Sequence, residues 1–298
     1  MINQMRLVTQ LRQILASPSL LLMPCAFDAL SAKLIEQAGF MLTFMSGFGV
    51  SSARLAMPDT GLISYHEMLE QGHNICHAVN IPVFGDADTG YGNVMNVQRT
   101  LHGYIHAGFA GIMLEDQQTP KRCGHTKGKQ VISQLEAFER LGAAVDARDQ
   151  ARKMGHDIVI IARTDARATL GIDEAISRGK AFQDLGADVI FIEAPQSIEE
   201  MKMICEEISV PTMANMIDQG VTPVLPPAEL EKIGFKLVAY PLSLLNASVE
   251  AMQKTLLKLK LGEKIESNLS FEDLQKHIGF HDYDLNLKRL SAKREPGK

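Results

Sequence analysis

Two kinds of segment alternate along the chain. Short runs, apolar on both alternating faces, recur at 20–26, 42–46, 82–85, 112–115, 158–162, 189–192, 212–214 and 237–240. Runs of this length predict strands buried on both sides. Between them, the stretches 29–38, 65–79, 94–107, 134–153, 172–185 and 198–208 repeat their apolar residues with a helical period and predict amphipathic helices. Four helix-to-strand junctions carry a glycine just ahead of the next apolar run, at Gly39, Gly108, Gly186 and Gly234. Glycine supplies the left-handed conformation that closes a helix. Eight such units predict an α/β fold, a closed parallel (β/α)8 TIM barrel. An open doubly wound sheet would carry fewer strands and a glycine-rich phosphate loop, and the chain has no G-x-G-x-x-G or Walker motif. A single barrel with C-terminal helices is expected over 1–287, and a flexible tail over 288–298, where Lys and Arg mix with Pro296 and Gly297.

Composition narrows the partner. With 298 residues and 46% apolar content the chain buries a large core, while a net charge of -5 without a basic stripe excludes a nucleic-acid binder. A small-molecule partner is expected. No apolar run approaches the roughly 20 residues of a membrane helix. The apolar stretch 20–27 follows Arg6 and Arg12, but it is short, contains Pro24 and lacks a small-residue cleavage pattern. It reads as a first strand rather than a signal peptide. Cys25, Cys76, Cys123 and Cys205 form no C-x-x-C pair, which argues against structural zinc and a disulfide framework and for a cytoplasmic location. Cys76, Cys205, His66, His73, His77, His102 and His106 fall in predicted helices and read as packing or surface residues.

In a parallel barrel the chemistry gathers at the carboxyl ends of the strands. Those ends carry Ser46 and Gly47, Asp86 and Asp88, Glu115 and Asp116, Arg163 to Asp165, Glu193, Asn215, and Tyr240 to Ser243. Each alone could cap a helix or a turn. Together they make a functional mouth. Asp86 and Asp88, two apart, share a face if both stay extended, and Glu115 approaches from the next strand. Oxygen donors of this kind suit Mg2+, with Mn2+ possible. The loop 88–92 (Asp-Thr-Gly-Tyr-Gly) reads equally as a turn or a substrate contact. In the segment 115–125, Cys123 is flanked by Lys121, Arg122 and His125, which would favour its thiolate and let it exchange a proton near neutral pH. As zinc ligands, Cys123 and His125 would lack a second pair.

Ordered motifs extend this picture: Ser46-Gly47, Leu55-Ala56-Met57-Pro58-Asp59, Asp86-Ala87-Asp88-Thr89-Gly90-Tyr91-Gly92, Glu115-Asp116-Gln117, Lys121-Arg122-Cys123-Gly124-His125, Ala162-Arg163-Thr164-Asp165-Ala166, Ala214-Asn215-Met216 and Tyr240-Pro241-Leu242-Ser243. From about 24 to 283 the chain resembles the isocitrate lyase and phosphoenolpyruvate mutase superfamily. Within it, the likeness is to the branch of methylisocitrate lyase, dimethylmalate lyase, oxaloacetate hydrolase, the petal-death lyase and carboxyphosphonoenolpyruvate phosphonomutase. The resemblance implies a (β/α)8 barrel in dimers or tetramers, often with the last helix exchanged between subunits. It implies Asp86 as the direct magnesium ligand, with Asp59, Asp88 and Glu115 holding metal-bound waters. Ser46 and Gly47 would bind a keto-acid carboxylate, and Arg163 would pair with substrate oxygens. Lys121, Cys123, Gly124 and His125 would sit on a gating loop, and Glu193 and Asn215 would complete the polar wall.

The implied activity is magnesium-dependent cleavage of a 2-hydroxy dicarboxylate, of 2,3-dimethylmalate or alkylmalate type, through an enolate protonated by Cys123. A simple phosphoenolpyruvate mutase lacks the Lys-x-Cys-Gly-His loop. Tricarboxylate-cleaving methylisocitrate lyases place arginines where this chain has Asn246 and near Phe271, and commonly a tyrosine at Phe44. A smaller dicarboxylate is therefore expected, since a third carboxylate would lack its charge partners. Alternatives are a carboxyphosphonoenolpyruvate phosphonomutase, which shares the loop and lacks those arginines, an oxaloacetate hydrolase, and a methylisocitrate lyase. A non-catalytic binding barrel would leave the acids and Cys123 without a reason.

Overall fold

A computed structural model describes residues 2–126, 128–267 and 269–292. A first helix, α1 (Ile2–Ala16), precedes eight strands: β1 (Leu21–Ala26), β2 (Thr43–Met45), β3 (Val83–Asp86), β4 (Gly111–Glu115), β5 (Val159–Thr164), β6 (Val189–Ile192), β7 (Met213–Asn215) and β8 (Leu237–Tyr240). They follow the eight apolar runs closely. All pair in parallel, in the order β6-β5-β4-β3-β2-β1-β8-β7. Between β6 and β7 the barrel is joined by an isolated parallel bridge, Ile190 to Thr212, where the Ile190 N–H donates to the Pro211 carbonyl at 3.0 Å.

Alternation along each strand sorts its side chains into two buried layers. Leu21, Met23, Phe84, Ile161, Phe191 and Leu237 fill the interior, joined by Leu7, Val8, Leu11 and Leu15 of α1. Met45, Ile112, Ile160, Ile190 and Val238 face outward and pack on helical residues. The helices are α2 (Ala29–Gln37), α3 (Gly47–Leu55), α4 (Tyr65–Ala78), α5 (Val94–Ala107), α6 (Gln134–Lys153), α7 (Ala166–Leu170), α8 (Ile172–Leu185), α9 (Ile198–Glu207) and α10 (Pro227–Ile233). At the junctions, Gly39, Gly108, Gly186 and Gly234 have φ of 88°, 104°, 106° and 116°, as their punctuation predicts.

An ion network holds α1 at the amino ends of the strands. Arg12 reaches Asp157, just ahead of β5, at 2.7 Å and Asp188, just ahead of β6, at 2.8 Å. Arg152 and Arg148 contact the same two acids at 2.9 Å and 3.2 Å. Burial works to raise the Asp157 pKa, but its bonds to Arg12 and Arg152 outweigh this and hold it below the usual carboxylate value.

By its contacts the chain divides into Met1–Asn246 and Ala247–Lys298. Helix α11 (Ser243–Lys260) begins just ahead of the division, and α12 (Phe271–Ile278) and α13 (Phe280–Ala292) complete the second unit. Neither α11 nor α12 buries a residue, and Leu256, Leu257, Phe271, Phe280 and Leu290 are exposed. Of the expected tail, 288–292 continues α13 and 293–298 lies outside the described residues. No described helix is long and apolar enough to cross a membrane.

Candidate active site

The polar strand ends meet at one mouth. Ser46 caps α3, its Oγ accepting from the Gly49 N–H at 3.1 Å. The Gly47 N–H donates to Asp86 Oδ2 at 3.2 Å, and a Cβ on Gly47 would lie 2.6 Å from that oxygen. A side chain at 47 would therefore displace Asp86. Asp86 ends β3, but the extended geometry expected for Asp88 is not what brings the two acids together. Asp88 turns left-handed, at φ 47°, and its N–H donates to Asp86 Oδ1 at 3.1 Å. Aspartate tolerates this conformation because its short polar side chain bonds locally.

Arg163, on β5, stands in register with Glu115 on β4. It lies 3.3 Å from Glu115, 2.9 Å from Asp165 and 3.3 Å from Glu193, with its guanidinium 5.5 Å from the Phe191 ring centroid. Lys121 Nζ is 2.5 Å from Asp59 and 2.8 Å from Asp88. His125 Nδ1 accepts the Val221 N–H at 3.3 Å, so the ring proton sits on Nε2, 3.2 Å from Glu193. Asn215 donates to Glu193 at 3.3 Å. Gly124 approaches so closely that a Cβ there would lie 2.5 Å from Arg163 and 2.6 Å from Glu193.

These residues surround an open cleft. Ser46, Asp59, Asp86, Cys123, Gly124, His125, Arg163, Glu193 and Asn215 form its polar lining, and Phe44, Phe48, Met113, Phe191, Met213 and Leu242 an apolar one. Gly47, Asp88, Glu115 and Lys121 stand behind the lining, each bonded to a residue of it or paired with one. Neither Asn246 nor the loop 89–92 lines the cleft, and Phe271, in the second unit, is 75% exposed.

Charge is unbalanced here. Asp59, Asp86, Asp88, Glu115, Asp165 and Glu193 are all buried, against the fixed cations Lys121, Lys129 and Arg163. Burial, reinforced by Asp88, pushes the Asp86 pKa up; burial and Asp59 do the same to Asp88, and burial with Asp165 and Asp86 to Glu115. Burial would also neutralise Glu193, but Arg163 and His125 overcome it and hold that carboxyl well below its usual value. Lys121 stays charged because Asp88, Glu115, Asp86 and Asp59 outweigh its burial. Among the described residues no three His, Cys, Asp or Glu side chains form a ready-made metal cage. The donor set nevertheless fits a hydrated hard cation. It is all oxygen, it carries excess negative charge, and Glu115 Oε1 is buried without a hydrogen-bond partner. Magnesium keeps several waters, so few direct carboxylates are needed.

The Cys123 environment corrects the expected thiolate. Burial, then Glu193 and Asp59, push the thiol pKa up against the His125 N–H and Arg163. Lys121 is committed to Asp59 and Asp88, and the Arg122 backbone is clamped by Gln117 at 2.9 Å and 2.8 Å. A protonated Cys123 is a donor rather than a nucleophile. His125 faces Glu193 and Val221, which leaves no zinc pair with Cys123.

Sequence reasoning missed Lys129, whose Nζ bonds the Gly124 carbonyl and lies 2.7 Å from Asp165. A single lysine in a polar loop gives no pattern to read. It also missed Arg178, buried on α8 and bonded to Asp116 at 2.9 Å; a charged residue on the inward face of an amphipathic helix is the signal that could have found it.

A parallel barrel with these residues around one mouth defines an enzyme of the lyase and mutase class. A family model described as phosphoenolpyruvate phosphomutase matches residues 11–260. The chain belongs to this family, within the isocitrate lyase/phosphoenolpyruvate mutase superfamily. It is 44% identical over 248 residues to the 2,3-dimethylmalate lyase of Eubacterium barkeri, covering 83% of this chain and 84% of that one. It is 40% identical over 283 residues to the chloroplastic carboxyvinyl-carboxyphosphonate phosphorylmutase of Arabidopsis thaliana, covering 94% and 80%. A solved oxaloacetate acetylhydrolase in complex with 3,3-difluorooxalacetate matches with a TM-score of 0.90 and 32% identity over 96% of this chain and 97% of that one. A phosphonopyruvate hydrolase in complex with oxalate and Mg++ matches with a TM-score of 0.82 and 29% identity over 97% and 99%.

Proposed function

We propose that the protein is a magnesium-dependent carbon-carbon lyase acting on a 2-hydroxy dicarboxylate of the 2,3-dimethylmalate or alkylmalate type. The observation that carries this is the mixed polar and apolar lining of the cleft. Arg163 is the one fixed cation among its described lining residues, and the lining also carries apolar side chains that suit alkyl groups. A third carboxylate would be buried there without a partner. The likeness to 2,3-dimethylmalate lyase supports the same reading.

Asp86 would hold magnesium, with Asp59, Asp88 and Glu115 around it. When bound, the metal supplies Lewis acidity toward the substrate's carboxylate and hydroxyl oxygens. Arg163 and Ser46 orient the substrate carboxylates. The C2 hydroxyl proton passes to the carboxylates around Asp86. The C2–C3 bond then breaks, C2 becomes the carbonyl of a keto acid, and the electron pair goes to the fragment bearing the second carboxylate. The Cys123 thiol protonates C3, so 2,3-dimethylmalate would give pyruvate and propionate. Gly124 and His125 close over the cleft and keep water from the intermediate.

Other reactions also have support from relatives: carboxyphosphonoenolpyruvate rearrangement from the Arabidopsis enzyme, oxaloacetate hydrolysis from the acetylhydrolase, and methylisocitrate cleavage from 2-methylisocitrate lyases, 35% identical over 97% of this chain in one case. A panel of malate, 2-methylmalate, 2,3-dimethylmalate, methylisocitrate and oxaloacetate, assayed for product acids with magnesium and with EDTA, separates the hydrolase and lyase readings. Phosphorus NMR covers the mutase. The expected result is magnesium-dependent cleavage of an alkylmalate. Preferred turnover of methylisocitrate would remove the charge argument.

The exposed apolar faces of α11, α12 and α13 support assembly into dimers or tetramers with exchange of the last helix. Light scattering tests this directly, and a monomer mass at micromolar concentration would exclude it.

A further inference from the structure

Lys129 is almost wholly buried, its side chain 3% exposed. A buried ammonium without partners is strongly unfavourable, so what it bonds matters. Its Nζ donates to the carbonyl oxygen of Gly124, in the turn that carries Cys123, and to Asp165 Oδ1 at 2.7 Å. Asp165 in turn accepts from Arg163 through both oxygens, at 2.9 Å and 3.1 Å. One carboxylate oxygen is thus shared between Lys129 and Arg163. Asp165 is itself fixed, because its N–H donates to Asp116 Oδ1 at 2.9 Å and Asp116 is bonded by Thr164 at 2.6 Å and Arg178 at 2.9 Å.

We infer that Lys129 is a positioning residue that ties the Cys123–His125 turn to Arg163 through Asp165, so that the proton donor and the substrate-binding cation are placed together. The geometry leaves little slack, because Gly124 has no room for a Cβ against Arg163 and Glu193. The bond to its carbonyl is the tether Lys129 adds to the contacts His125 makes with Val221 and Glu193, and without it the turn is free to move relative to Arg163. A displacement of about 1 Å at a reacting group costs on the order of 100-fold in rate.

The turnover arm of the test rests on the proposed lyase reading, so a second arm is independent of substrate. In the full-length protein, Lys129→Met should fold with a lowered melting temperature, since buried Asp165 loses a partner, and should lose about 100-fold in kcat with little change in KM. Its Cys123 should react severalfold faster with iodoacetamide, followed by peptide mass spectrometry at the alkaline plateau of the rate, where access rather than ionisation is read. Lys129→Arg should recover part of both. A folded Lys129→Met with wild-type kcat and a wild-type Cys123 plateau rate would overturn the proposal. If the wild type cleaves nothing in the panel, the lyase reading fails while the alkylation rates still decide the role of Lys129. If Lys129→Met does not fold, Lys129→Gln, which keeps a donor but no charge, is judged by the same two readouts.

Discussion

The two ends of the barrel both gather charged side chains, half-buried at one end and buried at the other, yet they handle them in opposite ways. At the amino end, Arg12, Arg148 and Arg152 bond Asp157 and Asp188, and Asp157 is held below its ordinary pKa. At the mouth, acids outnumber fixed cations, Asp86, Asp88 and Glu115 are pushed upward, and Asp88 sits in a left-handed conformation. Compensated charge marks the end that holds the fold together. On the proposed reading, uncompensated charge marks the end that takes a cation and a substrate.

The largest test of this contrast is Cys123→Ala, which should lower lyase turnover by about 10²- to 10⁴-fold while leaving the melting temperature unchanged. Near-normal turnover would deny Cys123 its role as donor. The opposite pattern is expected from Asp157→Asn. It should destabilise the protein by about 1.5–3 kcal/mol, the worth of hydrogen bonds to a charged group, yet leave turnover per folded molecule intact. The smallest change in stability is expected from Asp88→Asn, which should lower activity but raise the melting temperature in EDTA by about 2–4 °C, a gain of roughly 1 kcal/mol. A fall in melting temperature instead would show that Asp88 is already compensated by Lys121.

The pH dependence separates the ends by sign. The depressed Asp157 pKa gives stability that is present above the unfolded carboxylate value and lost as pH falls through the lower folded value. The raised pKa values of Asp86, Asp88 and Glu115 give stability that is present below the unfolded value and lost as pH rises through the higher folded ones. In EDTA, Asp157→Asn should therefore flatten the acidic limb of a melting profile, and Asp88→Asn the alkaline one. Identical profiles for the two variants would dissolve the distinction.

The barrel is legible in the sequence because buried strands are apolar throughout and each glycine stop is local. Helix α3 is not, since Gly47 and Gly49 are poor helix formers and the helix exists because Ser46 caps it and Gly47 gives way to Asp86. Spacing assigned Leu7, Val8, Leu11 and Leu15 to no predicted element, though it fits one helical face; only packing shows them filling the barrel interior. At the mouth, residue types pointed to acids, an arginine and a thiol, but not to their pairing. Whether Lys121 serves Cys123 or the acids depends on where a loop returns in space, and sequence neighbours mislead. Lys129 was invisible for the same reason.

The seam between β6 and β7 has a consequence for how this enzyme can diversify. Its backbone offers an isolated bridge, and at the carboxyl end of β7 the Asn215 side chain reaches Glu193, just past β6. Those two residues line the cleft and also clasp the barrel where its sheet is thinnest. A lineage adapting to a new substrate can exchange Phe48 for shape alone, whereas Phe44 and Met213 also fill the barrel interior. Changes at Glu193 or Asn215 must first keep the barrel closed, so substrate range is freest to drift at Phe48.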